Sequence, residues 1–113
     1  MTRPRGASVT AAVHASEASW ATVVEQWATL QGWVWFHVPD SRRMRAGLPD
    51  YVMVRASRGT GPGRLLFAEI KAPGGRVRSE QMAVLSLLST VPGVESGIFV
   101  LPEAWPRLRD LLM

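Results

Sequence analysis

The sequence predicts an α/β fold: a single small domain in the order αβββαβα, with a mixed four-stranded sheet flanked by helices. Three observations predict it. An apolar set at helical spacing precedes the first strand; three segments rich in aromatic and β-branched residues follow, separated by loop residues; and a second helical segment leads to a fourth strand. At 113 residues and 47% apolar composition, the chain suits one domain with a modest core and no internal repeat.

Residues 1–15 hold Pro4, Gly6 and small residues without a persistent period, and read as a flexible basic N-terminal arm ahead of a folded domain over 16–113. Ser16 is placed to cap the first helix, in which Trp20, Val23, Val24, Trp27 and Leu30 recur at helical spacing until Gly32 stops it. Trp33 to Val38 predicts a strand, followed by the arginine-rich loop around Asp40 to Arg45. Gly47 and Pro49 close that loop. Tyr51 to Val54 and Leu65 to Lys71 predict two strands joined through a glycine-rich turn as a hairpin. After Pro73-Gly74-Gly75, Ser79 is expected to cap a helix running to about Thr90. Gly97 to Leu101 then predicts the fourth strand and Trp105 to Leu112 a short last helix.

Composition narrows the chemistry. The chain has no cysteine, which excludes disulfides, thiolate metal sites and cysteine nucleophiles. Its two histidines, His14 and His37, are too few for a histidine-rich metal site, so a metal would be held by carboxylates, favouring Mg²⁺ or Mn²⁺. A net charge of +4 suits a polyanionic partner. No apolar run reaches the ~20 residues of a membrane span, and the N-terminus lacks the apolar stretch of a secretory signal. The expectation is a soluble, intracellular, cytoplasmic protein with no membrane partner.

Lys71 is the only lysine beside twelve arginines, and it ends an apolar strand as Glu69-Ile70-Lys71. Residues two apart on a strand share a face, so Glu69 and Lys71 point the same way. A strand end emerging into water would also explain the pair. Pro49-Asp50 is ordinary turn chemistry on its own. In the expected hairpin, however, Asp50 stands at the end of the strand beside Glu69, and two carboxylates can then reach one ion.

On the first helix, taking Trp20 as the zero of the wheel puts Glu17 near ~60°, within the apolar stripe, and Glu25 near ~140°, away from it. Glu17 is therefore the expected helix acid and Glu25 the solvated one. Gln81 falls in the first turn of the second helix, placed to orient a water or contact a phosphate, and Glu80 suits the helix N-terminus. Arg42, Arg43 and Arg45 precede Asp50, and Arg76 with Arg78 follow Lys71, as expected of a phosphate-binding rim. His37 is expected to be packed or hydrogen-bonded. Trp33, Trp35 and Trp105 read as core, although a strand tryptophan can also stack on an unpaired base.

Taken in order, Gly47-Leu48-Pro49-Asp50-Tyr51, Phe67-Ala68-Glu69-Ile70-Lys71 and Gly75-Arg76 to Ser79-Glu80-Gln81 resemble the VRR-NUC (virus-type replication-repair nuclease) family of the PD-(D/E)XK superfamily. The resemblance extends over roughly residues 16 to 112 and implies a restriction-endonuclease-like core. It maps the family's helix acid to Glu17, its aspartate to Asp50, its E-x-K to Glu69 and Lys71, and its glutamine to Gln81. It also implies metal-dependent cleavage of DNA, with Asp50, Glu69 and the main-chain carbonyl of Ile70 holding Mg²⁺ or Mn²⁺. A stand-alone form of this size resembles phage proteins, for which a homodimer acting on branched, flap or Holliday-junction DNA is implied. A non-cleaving DNA-binding module of the same fold and a small packing domain are the competing expectations.

Overall fold

The computed structural model describes residues 17–39 and 45–113. The N-terminal arm, Ser16, Arg42, Arg43 and the side chain of Glu17 lie outside the described part. The elements run α1 (Glu17–Leu30), β1 (Trp33–His37), β2 (Tyr51–Arg55), β3 (Arg64–Lys71), α2 (Ser79–Leu88), β4 (Val94–Val100) and α3 (Trp105–Leu112). This is the αβββαβα order expected from the sequence. The strands lie side by side as β1-β2-β3-β4; the first two pairings are antiparallel and β3–β4 is parallel. The sheet is mixed because α2 carries the chain back along the sheet before β4 starts, as a parallel neighbour requires.

Alternation along the strands divides the sheet into two faces. One carries Trp33, Tyr51, Met53, Leu66, Ala68, Ile70 and Phe99. It packs against Trp20, Val24 and Ala28 of α1 and against Leu108 and Leu112 of α3, forming the main core. The other face carries Leu65, Phe67, Glu69 and Lys71, and α2 lies over it through Gln81 and Leu85. Val34, Phe36 and Val54, also on this second face, remain exposed. β3 is interior, hydrogen-bonded on both edges, as its apolar faces predicted.

Helix α3 closes the core by reaching back to the sheet. The Trp33 and Trp27 indoles donate to the carbonyls of Leu112 and Arg109, and the Arg55 guanidinium donates to those of Leu112 and Met113. Arg55 lies 4.9 Å from the Trp33 ring, and burial, with Arg58 and Arg64 nearby, lowers its pKa from the ordinary value. Arg64 in turn forms a two-pronged pair with Glu95.

Several boundaries shift from expectation for identifiable reasons. β4 begins at Val94, three residues early, because Val94, Glu95 and Ser96 pair with Leu65, Leu66 and Phe67. Local composition could not announce that partner. α2 ends at Leu88, before the expected Thr90. Its N-cap is Arg78, not Ser79: the Arg78 backbone N–H is taken by the Gln81 side chain, which does the work usually given to a capping residue.

Candidate active site

Asp50 and Glu69 meet where β2 begins and β3 ends. The Asp50 N–H donates to Glu69 Oε1 at 3.1 Å, and the Ile70 N–H donates to Asp50 Oδ2 at 3.1 Å. Each carboxylate thus holds the backbone of the other's strand. The hairpin register, with Tyr51 opposite Ala68, produces this exchange, since the ladder stops one residue short of Asp50 and leaves these amides for side chains.

Glu69 is 1% exposed, and its second oxygen, Oε2, receives Gln81 Nε2 at 2.8 Å and faces Lys71 Nζ at 3.1 Å. Burial raises the Glu69 pKa above the ordinary carboxylate value, and the Asp50 charge raises it further; Lys71 opposes both. Two carboxyl groups thus stand together beside one ammonium. Gln81 is itself buried, with Oε1 committed to the Arg78 N–H, so its amide can only point its N–H group at Glu69.

These groups line a cavity of about 450 Å³, together with Arg45, Arg76, Arg78 and the turn from Ala46 to Leu48. The three arginines are exposed on its rim. Gly47 lets the turn approach α2: its φ is +113°, and a Cβ there would lie 2.5 Å from the Glu80 carbonyl oxygen. Among the described residues no group of three metal-ligating side chains occurs. Likewise, no helix among the described residues is long and apolar enough to cross a membrane.

Asp50, Glu69, Ile70, Lys71, Gln81, Arg45, Arg76 and Arg78 thus come together as expected from the sequence. The expectations for Glu17, Arg42 and Arg43 fall outside the described residues. Glu25 is a correction: expected in solvent, it is half-buried and accepts a 2.5 Å hydrogen bond from the Tyr51 hydroxyl. The fully buried stripe of α1 is Trp20, Val24 and Ala28, which turns the flank bearing Glu25 toward the sheet. His37 is packed as expected, its ring stacked on Tyr51 at 4.9 Å, while the residue remains exposed at the end of β1. The sequence reading gave Tyr51 no role beyond its strand. The signal available was its position directly after Asp50, on the alternation facing α1.

Comparison with protein-family models, with curated proteins and with solved structures yields no match. The case for a function rests on the residues and their geometry.

Proposed function

We propose that the chain is a metal-dependent DNA endonuclease that hydrolyses phosphodiester bonds. One observation carries the reading: Asp50 and Glu69 are fixed side by side at the end of adjoining strands, with Lys71 3.1 Å from Glu69, on the wall of an arginine-rimmed cavity. The resemblance to VRR-NUC nucleases supports the same reading, and with it a homodimer and branched or flap DNA as substrate.

The donor chemistry fits Mg²⁺ or Mn²⁺. Two hard carboxylate oxygens stand close enough that the charge on one raises the pKa of the other, and a divalent cation relieves that repulsion. Asp50 and Glu69 would hold it, joined by the Ile70 carbonyl. In an extended strand the N–H and C=O of one residue leave by the same edge, and the Ile70 N–H already points at Asp50. Such an ion supplies Lewis-acid polarisation of the phosphoryl group and lowers the pKa of water.

The chain's own residues do the rest. Lys71 places a compact positive charge beside Glu69, where it orients a nucleophilic water and stabilises charge developing on the phosphate. Gln81 fixes the Glu69 carboxylate. Arg45, Arg76 and Arg78 receive the flanking phosphates, positioning the strand without reading its sequence. By its place on the helix wheel and by the family resemblance alone, Glu17 is proposed as an additional acid.

A panel of single-stranded, linear, flap and four-way-junction DNAs with Mn²⁺, with and without EDTA, tests the proposal. Cleavage of at least one substrate is expected, abolished by EDTA and by Asp50→Ala or Glu69→Ala. Absence of cleavage on every substrate, with no heat of metal binding by calorimetry, would remove the nuclease reading. A DNA-binding module that does not cut is the second reading, favoured by the protein donors already engaging both Glu69 oxygens. It predicts unchanged DNA affinity in Glu69→Ala.

A further inference from the structure

We propose that His37 is a stacking platform for an unpaired nucleotide base next to the scissile phosphate, which makes the preferred substrate a strand with splayed rather than paired bases. This deepens the nuclease reading and rests on it for the position of the phosphate.

Asp50 borders two cavities. One is the arginine-rimmed cavity; the other, of about 350 Å³, is lined by His37, Asp50, Tyr51, Ile70, Ala18 and Ala21. A strand whose phosphate sits at Asp50 therefore has an arginine-bearing wall on one side and a ring-bearing wall on the other. The two alanines of α1 line this second cavity with nothing larger than a methyl group.

The ring at its edge is held in place. His37 is the last residue of β1 and pairs with Tyr51 across the ladder; immediately after it, the Val38 N–H donates to the Asp50 carbonyl at 2.7 Å. Its backbone is thereby tied to the residue that would bind the metal. The imidazole lies over the Tyr51 ring with centroids 4.9 Å apart and planes 28° from parallel. Tyr51 is 1% exposed, its hydroxyl is held by Glu25 and its ring edge meets Trp35 at 6.1 Å.

His37 is thus backed on one face by a fixed aromatic ring and exposed on the other. A planar ring so held loses little freedom on accepting a base, and stacking of this kind is tolerant of sequence. A base within a duplex is already stacked above and below, so only an unpaired one gains from the contact. The role requires a flat ring and no proton transfer, which separates it from general-base catalysis.

The test uses single-stranded oligonucleotides, each with 2-aminopurine at one position, bound to the full chain in Ca²⁺. A sugar-phosphate chain of the same length without bases is the control, and thermal melting confirms the fold of His37→Ala and His37→Phe. With wild type and His37→Phe, fluorescence should be quenched at one or two adjacent positions. With His37→Ala that quenching should disappear and affinity should weaken about tenfold, while affinity for the baseless chain stays the same for all three proteins. Equal quenching in His37→Ala, equal weakening on the baseless chain, or no quenching by wild type would each overturn the proposal. Cleavage in Mn²⁺, measured on the same preparation, keeps the two readings apart. Quenching without cleavage sinks only the nuclease, and cleavage without an effect of His37 sinks only the platform.

Discussion

Gln81 donates Nε2–H to Glu69 Oε2 at 2.8 Å while its Oε1 accepts the Arg78 backbone N–H at 3.0 Å. One buried amide therefore starts helix α2 and orients the carboxylate. Gln81→Leu should lose both bonds and destabilise the chain by about 1–3 kcal/mol. Gln81→Glu keeps an acceptor for Arg78 but turns a third carboxylate toward Glu69. Denaturant melts should rank wild type above both variants, with Gln81→Glu recovering as pH falls and Gln81→Leu not. If both variants match wild type, the bridge does not matter to stability.

Lys71 is predicted to be irreplaceable by arginine. Its ammonium lies 3.1 Å from Glu69 in a largely buried position, where a planar guanidinium cannot adopt the same compact geometry. Lys71→Arg and Lys71→Ala should each slow single-turnover cleavage about 10²-fold or more, with DNA affinity kept in Lys71→Arg. Normal cleavage by Lys71→Arg would make the lysine incidental.

The buried carboxylate gives stability a definite pH dependence. In the unfolded chain Glu69 ionises at its ordinary value; in the fold, burial and Asp50 raise that pKa. Between the two values the folded state holds the extra proton, so the stability contribution is fully present below the unfolded pKa and is lost as pH rises through the folded one. In chelator, the melting temperature should fall over that interval, and Glu69→Gln should flatten the fall. A rise in stability across the same interval in wild type, absent in the variant, would reverse the sign and contradict the burial argument.

Gly47 is predicted to govern the site from outside it. A Cβ there meets the Glu80 carbonyl at 2.5 Å and Val84 at 2.8 Å, on a backbone with φ of +113°. Gly47→Ala should cost about 1–3 kcal/mol by denaturant titration and weaken DNA binding by moving Arg45. Gly59→Ala is the control for positive φ alone, since nothing lies within 4 Å of a Cβ at that position. Equal effects of the two substitutions would show that packing against α2 is not what matters.

The sequence by itself determined the element order and singled out Asp50, Glu69, Lys71 and Gln81, which the fold brings together. Periodicities of 3.6 and 2 are local properties, and Pro49-Asp50 and Glu69-Ile70-Lys71 stand at the ends of two strands joined as a hairpin, so their meeting follows from a short-range pairing. Tertiary structure decided what depends on distant partners. The early start of β4 comes from parallel pairing with β3, the half-burial of Glu25 from Tyr51, and the closeness of Gly47 to α2 from packing between segments more than thirty residues apart. Asp50 facing two cavities, one basic and one bearing an aromatic stack, is likewise visible only in three dimensions. The helix wheel failed at Glu25 for the same reason: it located the apolar stripe of α1 but carried no information about how the sheet beneath that helix is oriented.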